Sequence, residues 1–452
     1  MGSQLEPLAL LLTLALGVAL LAAPRRFALL PILAGAIFIP ADQRVVIATL
    51  DFSMIRILIL FAFARVIGRG EIRPIQINAL DIGIVALAVI FLVTQTLLYQ
   101  TLPAFVNRLG TGFDLLGIYF YTRLLLMNWT DMWTTVRLVG WCLGIFAVFM
   151  AIEWTTGRNL FSAIGGVPEY TVVRDGRLRC QGAIAHPILA GVFGACWTPI
   201  VFSLWWKKEK SRAVLSYLGA FFVVVFSASS TPLLALVFGA LALCLWPLRT
   251  NLRWLRWAGL ALIIFLHLVR EKPVWHLLAR INVVGGSTGY HRYLVIDKAI
   301  QYFDEWWMLG TTNIDHWRIH ANDITNQYVA TGINGGIVAM FMLIGIIVIA
   351  FRLVGRSFKS RYLSPPQRRF AWTLGATHFT HTAIFFAVAY FGQLTFIWYL
   401  QMALVGALAE ITERQTKGLR RRKSKAPPAD DPATPPVLTP APGGVAPRTP
   451  LP

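Results

Sequence analysis

The sequence is poor in charge, and poorest in acid. Asp and Glu number 21 against 41 Lys and Arg, and charged residues make up 14% of 452 positions. A soluble domain carries about 25% charge. With 56% of residues hydrophobic, the apolar side chains cannot all be hidden inside one water-soluble core, and lipid is the solvent that accommodates them. Cysteine is scarce too. Cys142, Cys196 and Cys244 fall inside apolar stretches, and Cys180 stands alone in a loop, which excludes a disulfide framework. There is no CxxC or HExxH spacing and no GxxxxGK[ST] loop. Neither zinc nor ATP chemistry is expected, and no cofactor is implied.

What the chain does have is a series of apolar segments, near 5–23, 27–40, 45–67, 79–98, 111–127, 137–154, 184–206, 213–228, 232–248, 256–269, 333–352, 371–389 and 392–410. Each approaches the roughly 20 residues of a spanning helix, although 27–40 is short enough to be a re-entrant arm. The expected fold is therefore all-α, a polytopic transmembrane bundle of about 12–13 spans. The first segment lacks a basic start and is followed at once by a second, so it reads as a span and not as a cleavable signal.

The net charge of +20 would point to nucleic acid in a soluble chain. Here the cations sit in short runs: Arg25-Arg26, Arg65 to Arg73, Lys207 to Lys210, Arg249 to Arg256 and Arg352 to Arg369. Such runs mark cytoplasmic connections. The stretches 155–183 and 270–332 then face outward, and thirteen spans place the N-terminus outside and the C-terminus inside. The membrane part is expected to cover 1–415. Residues 416–452 read as a basic run on anionic headgroups followed by a proline-rich disordered tail.

The long outward loop, 270–332, holds Trp275, Trp306, Trp307, Trp317, four histidines and six cations. His291 to Trp307 has helical spacing and is expected to form an amphipathic helix on the membrane surface, with Trp306 and Trp307 at headgroup level. Rings pack on sugar faces, arginine forks grip phosphate, and histidine moves a proton near neutral pH. Arg56, near the middle of 45–67, is a costly intramembrane charge. It either reaches toward a lipid phosphate or pairs with Asp51 or Glu153. Arg123 is expected to snorkel to water at the cytoplasmic end of its helix. His186, before Pro187, reads as a helix-cap residue. His267, His378 and His381 either line a path or make buried hydrogen bonds.

Three stretches carry a resemblance. They are Arg177-Leu178-Arg179-Cys180-Gln181-Gly182-Ala183-Ile184-Ala185-His186-Pro187, then Gly289-Tyr290-His291-Arg292 leading to Trp307-Met308-Leu309-Gly310, and His320 through Asp323-Ile324-Thr325-Asn326 to Gly332-Ile333-Asn334-Gly335-Gly336. Together they resemble the O-antigen ligase and polysaccharide polymerase superfamily of bacterial inner membranes. The resemblance implies glycan transfer from undecaprenyl pyrophosphate to an acceptor glycan on the periplasmic face, without metal or ATP. Arg179 and Arg292 would hold the pyrophosphate, and Arg56 is a further candidate for it only through its costly intramembrane charge. His320 would be the base, and Asp323 is a rival for that role. The implied partners are a lipid-linked glycan donor, a glycan acceptor, membrane lipids and other envelope assembly proteins, with no nucleic acid. A lipid-linked glycan flippase and a non-catalytic assembly subunit are the alternatives.

Overall fold

The apolar segments fold as helices whose ends are set by local chemistry. The computed structural model describes residues 5–47, 50–280, 289–320 and 323–425. Helix α1 (Pro7–Ala22) opens on proline, and α2 (Leu30–Phe38) follows it. An antiparallel hairpin of β1 (Arg44–Ile47) and β2 (Leu50–Ser53) leads into α3 (Met54–Gly68), where the Ser53 hydroxyl caps the helix by accepting from Arg56 N. Asn78 and Asp81 form a capping box on α4 (Ala79–Tyr99), satisfying two orphan donors. Next come α5 (Leu102–Leu125), α6 (Trp129–Thr156) and a second hairpin, β3 (Val172–Arg174) with β4 (Arg177–Arg179).

The chain continues through α7 (Pro187–Val201), α8 (Ser203–Trp206), α9 (Lys210–Phe226), α10 (Ser230–Cys244) and α11 (Leu252–Val269). Helices α12 (Gly289–Gln301) and α13 (Phe303–Trp306) precede the three last helices, α14 (Gln327–Lys359), α15 (Pro365–Ile384) and α16 (Gln393–Lys425). Among the described residues, six helices are long and apolar enough to cross a membrane: α4, α6, α7 with α8, α11, α14 and the Gln393–Gly418 part of α16. The chain is thus a helical membrane protein. Helices α1 and α10 are as apolar but shorter. The expected proline-rich tail lies outside the described residues.

The segment expected as one span at 45–67 is part hairpin, because β1 and β2 occupy its first residues. Arg56 therefore sits in the first turn of α3, not at its middle.

Contacts at helix ends sort the connections into two groups. At the basic end, Arg65 bonds Glu71 and the carbonyls of Leu20 and Ala23. Arg73 caps the C-terminus of α5 through the carbonyls of Arg123, Leu124 and Leu126. Arg123 does not snorkel. It is fully buried, 3.0 Å from Asp81 and 2.9 Å from Glu410, where α4, α5 and α16 meet. The expectation failed because position along a helix says nothing of which carboxylates the neighbouring helices bring.

At the opposite end lie the two hairpins, the 157–186 connection, the α9–α10 turn, α12, and the α15–α16 connection. Gln393 ties it together, donating to the carbonyls of Ile39 and Ala183 while its own carbonyl accepts from Ala185 N. Gln327 N donates to Phe385 O at 2.8 Å, and its side-chain oxygen accepts from Tyr390 N.

Helix α14 is broken at Gly335 and Gly336, the latter at φ +73°. The break receives the 307–311 segment: Thr311 N donates to Ile333 O at 2.9 Å and Ile337 N to Trp307 O at 2.7 Å. Backbone groups freed by a helix break need such partners in a dry interior. Glycine is required on both sides, since a Cβ on Gly336 would collide with the Met308 carbonyl and one on Gly310 with the Ile333 carbonyl. Trp306 does not face outward. It is buried against Gly332 and donates to Ala299 O at 2.8 Å. The pattern of α12 cannot distinguish lipid from Gly332 as what its neighbour packs on.

Candidate functional site

The site is built at the end of the bundle opposite the basic one. The β3–β4 hairpin turns through Asp175 and Gly176, both with positive φ, the conformation that a two-residue hairpin of this hand needs. After β4 the backbone is pinned at nearly every step. Cys180 N donates to Phe226 O at 3.0 Å. The buried Glu153 carboxylate of α6 accepts from Gln181 N and, at 2.8 Å, from Gly182 N. Asn159 donates to Gly182 O at 2.8 Å. His186 then caps α7, its Nδ1 accepting from Ile188 N at 3.1 Å. Burial, and secondarily the nearby Arg179 charge, pushes this imidazole down to about 4, so it is neutral at pH 7.

Arg179 is thereby held on rigid backbone, only 8% exposed. Its Nε is buried without a hydrogen-bond partner. Burial, reinforced by Arg174, lowers its pKa, with Asp175 opposing. Arg292 projects from the buried face of α12 with Val295 and Ala299, and is 5% exposed. It donates to the Thr231 hydroxyl at 2.7 Å and to Ala387 O at 3.2 Å. Burial and then Arg174 lower its pKa as well. The α9–α10 turn thus receives both segments, since Phe226 anchors the residue after Arg179 and Thr231 anchors Arg292.

Four arginines are buried among the described residues: Arg65, Arg123, Arg179 and Arg292. The first two, at the basic end, each contact a carboxylate. Arg179 and Arg292 make no ion pair among the described residues, whose ion pairs all involve other groups. A buried cation without a counter-charge is costly. Backbone next to Arg179 and the side chain of Arg292 are both held at the α9–α10 turn, although the two residues come from distant segments.

His320 and Asp323 are exposed on the connection before α14. The Asp323 carbonyl lies 2.8 Å from His291 Nε2, which seats this connection against the first turn of α12, next to Arg292. Arg179, Arg292, His320 and Asp323 therefore share one end of the bundle.

Arg56, in the first turn of α3 after the β1–β2 hairpin, lies at the same end but is bound to other groups. Its Nε and Nη2 each lie 2.8 Å from the two Asp114 oxygens, and Nη1 donates to the Asp51 carbonyl. Its partner is neither the Asp51 carboxylate nor Glu153. Its charge is already matched by Asp114, a residue of α5 that spacing within 45–67 could not reveal, and that carboxylate takes the place of the expected phosphate. Thr231 and Glu153 hold the two segments in place, which the motifs did not signal. Arg174 was missed too, although the Asp-Gly pair at 175–176 signals a hairpin that would have exposed it. No group of His, Cys, Asp and Glu among the described residues has the arrangement of a metal site.

No protein-family model matches the chain, and no curated protein matches it.

Proposed function

We propose that the protein transfers a glycan from a polyprenyl diphosphate carrier to an acceptor hydroxyl at the end of the bundle that carries the two hairpins. On this reading all thirteen apolar helices from α1 to α16, with α7 and α8 counted as one and α12 and α13 left aside, cross a bacterial inner membrane alternately. The basic end is then cytoplasmic, as short cationic connections are, and the 157–186 and 270–326 connections are periplasmic.

The observation that carries the proposal is the two buried arginines, Arg179 and Arg292, that make no ion pair among the described residues. A diphosphate supplies the two negative centres they lack, and guanidinium forks match phosphate oxygens. In the reaction the acceptor hydroxyl gives its proton to His320 or Asp323, and its oxygen bonds to the anomeric carbon. The bond from that carbon to the phosphate oxygen breaks, and the polyprenyl diphosphate leaves with the electron pair. Arg179 and Arg292 stabilise the charge that develops on it.

The test is purified protein in detergent with a polyprenyl-diphosphate glycan and an acceptor glycan, in chelator and without nucleotide. Transfer supports the proposal. Arg179→Ala and Arg292→Ala should each lower the rate by about 10²–10³, the typical loss for one charge-stabilising group. Full activity in both variants contradicts the assignment.

A lipid-linked glycan transporter is the second reading, drawn from His378 and His381. Both are buried on α15, and Nδ1 of the first and Nε2 of the second lack partners. Intramembrane ionisable groups are a mark of transporters. The same preparation, reconstituted in vesicles, would then move the glycan lipid across the bilayer without forming a new glycosidic bond.

A further inference from the structure

At the basic end of the bundle two cavities meet at one side chain. The first, about 190 Å³, lies between α6, the turn after α8 and the start of α15. Trp129, Trp133, Arg137, Lys207, Ser364 and Gln367 line it. The second, about 490 Å³, is a groove between α6 and α9. It opens on the flank of the bundle, since Trp141, Val148 and Phe222 on its lining are exposed. Arg137 lines both cavities.

Glycines make the groove. Gly219 packs on the backbone of Gly144, where a Cβ would lie 2.9 Å away. Small residues let membrane helices approach in this way. A Cβ on Gly144 itself would meet nothing within 4 Å, so this position leaves a gap in the groove wall. The lining runs from Gly140 to Ala151 on α6 and from Leu215 to Phe226 on α9. Each stretch rises about 16 Å, about half of a 30 Å hydrocarbon core. The groove therefore matches an acyl chain of one leaflet.

The mouth of the groove is cationic. Arg137 and Arg212 share the Glu209 carboxylate, at 2.9 Å and 2.8 Å. Lys207 makes no ion pair among the described residues, and its ammonium lies 5.4 Å over the Trp133 ring. Asp131, the acid at this end of α6, is turned to Arg25 and to Met127 N. Three cations thus stand against one carboxylate where the two cavities join.

We infer that the α6–α9 groove and its cationic mouth hold one anionic phospholipid from the leaflet at the basic end. Its phosphodiester takes charge-assisted hydrogen bonds from Lys207 and the two arginines, and its chain lies along Gly144. The inference needs only that the helices cross a membrane and is independent of glycan transfer. The groove ends at Phe226, whose carbonyl accepts from Cys180 N at 3.0 Å, so the lipid braces the helix that holds the Arg179 segment.

The experiment is native mass spectrometry of the full-length protein, stripped of lipid in detergent. The probes are dioleoyl phosphatidylglycerol, dioleoyl phosphatidylcholine and glycerol phosphate. The wild type should bind phosphatidylglycerol about tenfold or more tighter than phosphatidylcholine, as added charged contacts warrant. Glycerol phosphate, without a chain, should not compete at the same concentration. Lys207→Gln with Arg212→Gln leaves Arg137 and Glu209 to cancel, and should abolish the preference. Both positions are exposed, and an unchanged thermal midpoint confirms that this variant is folded. Gly144→Leu fills the gap and should weaken phosphatidylglycerol about tenfold, although leucine suits a helix better than glycine.

The inference is overturned if the wild type binds both lipids equally, or if the double variant keeps the preference. It is also overturned if folded Gly144→Leu binds phosphatidylglycerol like the wild type, or if glycerol phosphate competes as well as the lipid, because the groove would then hold no chain. The headgroup arm decides alone if Gly144→Leu does not fold.

Discussion

Arg292 and Thr231 are joined by a 2.7 Å hydrogen bond that ties α12 to the first turn of α10. Both partners are buried, and the bond fixes one of the two guanidinium groups left without a carboxylate. Thr231 is thus a positioning residue. Thr231→Val keeps the shape and removes the acceptor. A lost bond to a charged group costs about 1.5–3 kcal/mol, so KM for a polyprenyl-diphosphate substrate should rise about tenfold or more. Thr231→Ser should restore it. Steady-state kinetics on the three forms check this, and equal KM in Thr231→Val would remove the role.

The basic end should respond in stability and not in chemistry. Arg123 lies between Asp81 and Glu410, with Tyr119 donating to Asp81 at 2.6 Å. Arg123→Met leaves the buried Asp81 carboxylate without a cation, while Glu410 keeps Arg73 and Arg414. Breaking a buried pair in this way costs about 3–5 kcal/mol. The unfolding midpoint in detergent should fall sharply, while the molecules that remain folded transfer glycan at the normal rate.

The break in α14 should not tolerate a side chain. Gly336 has φ +73°, and a Cβ there meets the Met308 carbonyl. Gly336→Ala combines a left-handed backbone penalty with that collision. A large loss of folded protein is expected, whereas Gly345→Ala, in open space on the same helix, should be neutral or mildly stabilising. Fluorescence-detected size exclusion separates the two.

His186 sets a pH dependence whose sign follows from its burial. Its folded value of about 4 lies below the ordinary 6.5. Between those values the unfolded chain holds a proton that the folded chain does not. Its contribution is therefore complete above about pH 6.5 and is lost as pH falls toward about 4. His186→Asn keeps a capping side chain and should flatten that part of the stability curve, as thermal unfolding at pH 4–7 would show.

The helical character and the positions of the apolar segments were legible because lipid demands long apolar runs, and these survive as signals in one dimension. Where a span gave way to something else, the reason is local pairing. Residues 44–47 pair with 50–53 across a hairpin, although this stretch is apolar enough to pass for helix. The partners of buried charges were illegible. Arg56 found Asp114, 58 positions away, and Arg123 found Glu410, 287 positions away. The motif glycines carried a structural meaning that the resemblance hid. Gly310 and Gly336 let the 307–311 segment enter a helix break, while Arg179 and Arg292, in the same motifs, make no ion pair among the described residues.

The most direct test of the account is the affinity of the detergent-purified protein for a polyprenyl diphosphate, measured for wild type, Arg179→Gln, Arg292→Gln and the double variant. The account predicts a loss of about tenfold or more in each single variant. It also predicts a double-variant loss that differs from the product of the two, because both groups hold one ligand. Wild-type affinity in either single variant would contradict it.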